Sequence, residues 1–464
     1  MSYKPSEPCV LSIDIGTSSI RSCLIDATGA IADNTLFAIE HSPTTTPDGG
    51  SELDPEEAFT KVCTVIDKSL SAAREYSVLP AAVAMTSFWH SLMGIDHRGK
   101  AITPVYLWAD TRSAPYVDQL RSEASVDETY KRNGCPLHSS YWPSKLLWLR
   151  DSQPELYSQV DKWLSFAEYV QLRFTGELRC AHGMASGTGI YLQREMSWDP
   201  FWIDLLDLRE SSLPRLTSLR EPLGYLRDSD FPWKDLAGIP WYPAVGDGAC
   251  SNIGSGAFDS SKVAINFGTS GAIRIVVDQY LEPPYGLWLY RIDNDRLLFG
   301  GALSNAGNIY EWLTETLRIS HEQAEQCLLT IQKVKPGLVF EPYLAGERSP
   351  RWRPDATGTI RGLRLDTKPE DIFKAGMLGV LYEFAKVHDM LDNSLGSDDR
   401  VTVLSGGAII KSQALRKALS EVLRRPTLIC LEEEPSARGA ALLVLEAIGA
   451  VKELKDAPAR LVAP

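Results

Sequence analysis

The 464-residue chain has no Cys-x-x-Cys pair; its eight cysteines lie scattered from Cys9 to Cys430. That spacing argues against a dithiol redox motif or a zinc ribbon and fits reduced thiols in a cytoplasm. No apolar run approaches the roughly 20 residues of a transmembrane helix, so a membrane is not expected as a partner. Met1 to Pro8 is polar and lacks the apolar core of a signal peptide. Basic residues are in deficit, 47 against 60 acidic, for a net charge of −13. Nucleic acid and anionic membrane are therefore poor partners, and an anionic ligand would need a locally basic pocket. There is no GxxxxGK[ST] run, so a nucleotide would be held without a P-loop. Low-complexity tracts are absent too. What remains is ordinary for a globular protein: 44% hydrophobic and 23% charged residues.

Against these absences stands a repeat. Ile13-Asp14-Ile15-Gly16-Thr17-Ser18-Ser19 is restated by Ile265-Asn266-Phe267-Gly268-Thr269-Ser270-Gly271. Each copy continues into a second β-rich run ending on Asp, Arg21 to Asp26 and Ile273 to Asp278. Strand, Gly-Thr-Ser turn and returning strand make a hairpin whose tip offers backbone N–H groups and hydroxyls to phosphate oxygens. Either copy alone reads equally as an ordinary hairpin; the pairing suggests two related halves gripping one polyphosphate.

Further runs fill in each half. Val10 to Ile15, Ile20 to Ile25 and Ile31 to Ala38 read as strands. Asp54-Pro55 caps a helix carrying Phe59, Val62, Ile66 and Leu70, and Ala81 to Thr86 is a buried strand before a hairpin at Asp96-Gly99. This order points to an α/β domain. Trp108 to Trp241 reads as a helical insertion that builds a substrate cleft, although its tryptophans equally suit a core. The second half repeats the meander. A helix is expected from Pro369 to about Leu391, with Thr367 or Asp366 near its cap. Val401 to Ser405 is a strand, followed by Gly406-Gly407 and a helix with Ala414, Leu415, Ala418 and Leu419 on its apolar stripe. The expected domains are 1–245 and 246–464.

Several residues carry chemistry. Asp14, just before Gly16, could hold Mg²⁺ through water or merely satisfy its own hairpin. Asp247, in Val245-Gly246-Asp247-Gly248, could accept a proton from a hydroxyl attacking phosphorus, or cap a helix. Trp89-His90 and Asp110-Thr111-Arg112 follow strand-like runs, where α/β folds place binding loops. Asp110 and Arg112 suit a polyol, or form a surface pair. Arg112 and Lys145 are cations for a substrate carboxylate; Lys145 equally suits a helix surface.

Taken in order, IDIGTSS, VGDGACSNIGSGA, INFGTSG, PYLAGERSPRWRPDATGTIRGL and LSGGAIIKSQALRKALSEVL resemble the motifs of the FGGY carbohydrate kinases, in the actin/hexokinase/Hsp70-like superfamily. The resemblance implies two RNase H-like α/β domains with ATP and sugar in a cleft between them. It implies ATP and Mg²⁺ as cofactors, with Gly16, Thr17, Ser18, Ser19, Gly268, Thr269, Ser270, Asn305, Gly406, Gly407 and Ala408 on the ATP side. It further implies Asp247 as general base, Asp14 at the metal, and His90, Trp89, Asp110, Arg112 and Lys145 at a small-molecule sugar; a homodimer follows by analogy. WADTRS, the run Gly134 to His138 leading to Lys145-Leu146-Leu147-Trp148, and FGTSGAIR are similar to the gluconate-kinase pattern, which makes D-gluconate the expected substrate. Xylulokinases share Asp110. Phe88-Trp89 and Tyr141-Trp142 are bulkier than that pattern. A catalytically silent sugar sensor and an actin- or Hsp70-like ATPase are the readings from other classes.

Overall fold

The computed structural model describes residues 7–463 apart from 77, 228, 229, 397 and 398. The polar N-terminal stretch up to Ser6 lies outside the described residues. The chain divides into two compact units. The first comprises Met1–Gly254, Tyr290–Leu297 and Glu433–Pro458; the second comprises Ser255–Leu289, Leu298–Glu432 and Ala459–Pro464. A boundary at 245/246 would cut the first unit before the helix that opens at Asp247, and would leave its two later stretches on the other side.

In the first unit, β1 (Cys9–Ile15) is wholly buried and turns back into β2 (Ser19–Asp26) as an antiparallel pair. α1 (Pro55–Ala73) starts as its sequence dictates, with Asp54 accepting from the amides of Glu56 and Glu57 and Pro55 in the first turn. It leads to β3 (Pro80–Ser87), which pairs parallel with β1. The insertion contributes α2 (Trp142–Ser152). Then β4 (Val245–Gly246) pairs parallel with the far edge of β3 and runs directly into α3 (Asp247–Gly254). The expected third strand from Ile31 is much shorter, Phe37–Glu40, with Ile31 making only an isolated bridge to Ile25. A turn within the run, with Asn34 at φ +60° and the Thr35 amide donating to Ala32 O at 3.2 Å, breaks the strand before Phe37. Trp142, Trp163, Trp202 and Trp241 are fully buried, so these four tryptophans of the insertion are core. The helix Pro435–Ala447 completes the unit by packing on α3, β1 and β3.

The second unit repeats the plan. β5 (Lys262–Phe267) and β6 (Gly271–Val277) form the antiparallel hairpin. α4 (Pro369–Leu395) starts at Pro369 as expected, with Lys368 at its N-cap next to Thr367, and the carboxylate of Asp371 accepts from the Lys368 amide at 3.0 Å. β7 (Val401–Ser405) lies parallel to β5, as β3 lies to β1. α5 (Gly407–Lys411) and α6 (Gln413–Leu423) follow, and α6 buries the predicted stripe at Ala414, Leu415, Ala418 and Leu419. Among the described residues there are thus two seven-stranded mixed sheets, each built around the same hairpin-plus-parallel-strand core. Among the described residues no helix is long and apolar enough to cross a membrane. Among the described residues no disulfide joins any of the eight cysteines.

Candidate active site

Strand register sets the first unit's chemistry. Ser87 at the end of β3 stands opposite Ile15 on one side and Gly246 on the other. The next residue of each strand, Gly16, Phe88 and Asp247, therefore leaves the same carboxyl edge of the sheet, where open α/β sheets place their ligands. Asp14 is one register row below, 3% exposed. Its pKa is raised from 3.8 to about 7, chiefly by burial; Arg21 opposes the rise, and the charges of Asp247 and Glu434 add to it. Arg21 sits across the hairpin, 3.4 Å from Asp14 Oδ2, and its Nε lies 3.4 Å from Glu434 Oε1. Asp247 is half-buried at the first turn of α3, its Oδ1 accepting from the Gly248 amide at 2.7 Å. A helix start favours the charged carboxylate.

The Gly16–Ser19 tip is tight: the Gly16 amide donates to Ser19 O at 3.0 Å. Thr17 Oγ1 accepts from Trp108 Nε1 at 3.2 Å, and the His41 ring contacts Gly16 O at 2.9 Å. Ser18 is exposed and Ser19 is buried. In the second unit the Gly268 amide donates to Ser270 O at 3.0 Å, a matching turn. There the amides of Gly307 and Asn308 donate to Gly268 O and Thr269 O. Gly406, Gly407 and Ala408 form the turn from β7 into α5, beside the hairpin because Ser405 pairs with Asn266. Asn305 spends its side chain on a neighbouring loop, accepting from the Ala345 amide at 2.9 Å and donating to Gly346 O at 2.7 Å. It holds the Gly346–Trp352 loop in place, and its side chain is buried.

The residues expected at the sugar gather on the first unit. His90 leaves β3 with φ +67°, its Nδ1 2.5 Å from Gly187 O. Its ring lies 4.6 Å from Tyr141 and 5.8 Å from Tyr290, and the two tyrosine hydroxyls meet at 2.6 Å. Trp89 is 6% exposed, with Nε1 donating to Gly183 O at 3.0 Å; it walls this corner from behind. Asp110 is 1% exposed and accepts from the Ser51 amide. Arg112 lays its fork on Asp110 at 3.1 Å, reaches Glu52 Oε2 at 2.8 Å, and stacks over Trp148 and Tyr106. Lys145 is not a helix-surface residue. It is 1% exposed on α2, donating to His90 O at 2.9 Å and Ser140 O at 2.8 Å, and burial lowers its pKa to about 7.

Sequence reasoning missed Arg21, Glu434 and Tyr290. The Asp14–Arg21 pairing could have been found by counting residues across the hairpin; Glu434 and Tyr290 arrive from distant sequence with no local signal. Among the described residues, the one His/Asp/Glu cluster with metal-compatible spacing is His388, Asp389 and Asp392 on α4. There Arg400 and Arg425 already balance Asp392.

Two α/β units, each presenting a Gly-Thr-Ser hairpin tip beside a parallel strand, define a two-domain kinase fold of the actin/hexokinase kind. Residues 9–254 match the N-terminal domain, and residues 263–448 the C-terminal domain, of the FGGY family of carbohydrate kinases. The chain belongs to that family, whose phosphate donor is ATP. It is 28% identical to the gluconokinase of Bacillus subtilis strain 168 over 458 residues, 95% of this chain and 88% of the relative. Gluconate kinase from Lactobacillus acidophilus superposes with a TM-score of 0.88 at 27% identity, covering 98% of this chain and 93% of that one. Ligand-bound xylulose kinase from the same organism superposes with a TM-score of 0.89 at 27% identity, covering 98% and 94%.

Proposed function

We propose that this carbohydrate kinase transfers the terminal phosphoryl group of ATP to the terminal hydroxyl of D-gluconate, giving 6-phospho-D-gluconate and ADP. The observation that supports it most is the placement of Asp247, a half-exposed carboxylate at the head of α3 on the same sheet edge as Asp14 and His90. Asp247 takes the hydroxyl proton as the oxygen attacks phosphorus, while the Gly248 amide, donating to Oδ1, orients the carboxylate. The backbone and hydroxyls of Gly16, Thr17, Ser18 and Ser19, and of Gly268, Thr269 and Ser270, contact phosphate oxygens. Gly406, Gly407 and Ala408 line the nucleoside. Asp14 suits Mg²⁺: it is a buried carboxylate whose charge is disfavoured until a cation balances it, and it would hold the ion through water, since Mg²⁺ takes one or two carboxylates and keeps its waters. When bound, that ion supplies positive charge against the phosphate oxygens.

The choice of gluconate rests on the sequence pattern and on relatives named for it. One observation favours a neutral ketose as the second reading: Arg112, the cation expected at a carboxylate, is already engaged by Asp110 and Glu52. The test is ADP release with Mg-ATP across gluconate, xylulose, ribulose, glycerol, fuculose and erythritol. Turnover on gluconate alone supports the sugar-acid reading; turnover on xylulose instead replaces it. Asp247→Asn should lower kcat by about 10³-fold or more while leaving ATP affinity nearly intact. Near-normal kcat in that variant would remove Asp247 as the base.

A further inference from the structure

A buried ammonium needs a reason, because taking the charge out of water costs several kcal/mol unless its hydrogens are well used. Lys145 uses them on two backbone carbonyls from separate segments, His90 O at 2.9 Å and Ser140 O at 2.8 Å. Each segment is unusual. His90 is a non-glycine residue at φ +67°, a left-handed conformation that is unfavourable for a residue with a Cβ and persists only when its surroundings enforce it. Ser140 belongs to a turn held by its own amide donating to His138 Nδ1 at 3.2 Å and its hydroxyl donating to Trp108 O at 2.8 Å. Trp108 in turn donates to Thr17 at the first hairpin tip. The next residue after Ser140 is Tyr141, whose ring flanks that of His90.

We propose that Lys145 is a positioning residue: by holding the carbonyls of His90 and Ser140 together, it fixes the His90 ring against Tyr141 and so shapes the substrate corner. It acts through His90 and does not touch the sugar. The arrangement does not depend on the charge of the amine, since a neutral amine still has two N–H donors for two carbonyls. The proposal rests on the reading of His90 as a substrate contact, but its geometry is testable without turnover.

The experiment compares Lys145→Met, which keeps the length and loses every donor, with Lys145→Gln, which keeps two. The first readout is the His90 ring signal in a carbon–proton spectrum of the full chain, assigned with His90→Asn, a residue that tolerates left-handed backbone. Lys145→Met should displace the His90 signal and leave most of the other six histidines in place. An unmoved His90 signal in a folded variant overturns the proposal, whatever the substrate proves to be. Should the Met variant not fold, Lys145→Gln carries the same test, with a smaller displacement expected and an unmoved His90 signal alongside a lost activity counting against it. The second readout is kinetic, on whichever panel sugar turns over best. Lys145→Met should raise KM for that sugar at least tenfold with KM for ATP within twofold. In a His90→Asn background the same substitution should cost less than twofold more. An undiminished tenfold penalty there would mean that Lys145 binds the sugar itself, and would overturn the proposal. A native protein silent on the whole panel would refute the substrate reading and leave the spectral result to decide this one.

Discussion

Gly246 has no room for a side chain. A Cβ built there would lie 1.9 Å from Trp89 Cε2, and one on Gly187 would lie 2.6 Å from Trp89 Cδ1. The indole is wedged between two backbones, and the next residue after one of them is Asp247. Gly246→Ala should therefore push Asp247 off its position and lower kcat on the order of a hundredfold, the scale of an ångström's misplacement. Combining it with Trp89→Leu, which empties the space, should recover at least tenfold of that loss in the same assay. No recovery would show that Gly246 serves only its own backbone. The bulk at Trp89 was visible in the sequence, but its direction was not: periodicity cannot tell a ring that faces a ligand from one that backs onto glycines. Arg112 teaches a similar lesson. The Asp-x-Arg spacing suggested a fork offered to a ligand, yet the fork is spent on Asp110, which is 1% exposed. Arg112→Ala would strand that carboxylate, at a cost of about 3–5 kcal/mol for a buried pair. It should depress melting temperature and reduce turnover on gluconate and xylulose by the same factor. A loss confined to gluconate would instead place Arg112 at the substrate carboxylate.

Elements were legible where one local rule sufficed. Asp54-Pro55 announced α1, the stripe announced α6, and Val401–Ser405 emerged as a strand with the bounds read from its apolar run. The strand expected from Ile31 shrank to Phe37–Glu40 because a turn at Asn34 breaks the run. α4 began at Pro369 as read but ran on past Leu391 to Leu395, where Gly396 at φ +65° ends it. The strand-to-helix turn after β7 shows how much one residue can carry. Gly406 has φ +103°, and a Cβ there would come within 2.5 Å of Phe267 O, one residue before the second hairpin tip. Gly406→Ala should both strain that turn and displace the tip. The expected result is a rise in KM for ATP of tenfold or more, with KM for the sugar nearly unchanged, read from paired saturation curves; equal changes in both would argue for general unfolding.

At the scale of the whole molecule, the internal repeat was the feature read most securely, because two copies constrain each other. The partition of the chain was not readable, since nothing in Glu433–Pro458 signals the unit it joins. A buried lysine adds a global signature. Folded Lys145 loses its proton near pH 7, whereas the unfolded side chain does so near 10.5. Between those values the unfolded state holds more protons, so this group makes stability rise with pH across that window. Denaturant titrations from pH 7 to 10 should show a steeper rise for the native chain than for Lys145→Met. Parallel curves would mean that the amine stays protonated in the fold.

The helix Pro435–Ala447 finishes the first unit from the far end of the chain. Arg438, 2% exposed, donates to Gly29 O, Gly254 O and Ala457 O, joining three widely separated stretches. A ribosome therefore releases the hairpin that starts this unit roughly four hundred residues before the helix that closes it. For most of its synthesis the first sheet waits with an uncovered face, while nearly all of the second unit has already emerged. The order of translation and the order of completion run in opposite directions, so a stop just before Arg438, which removes only residues 438–464, should be far more damaging than the few residues lost would suggest.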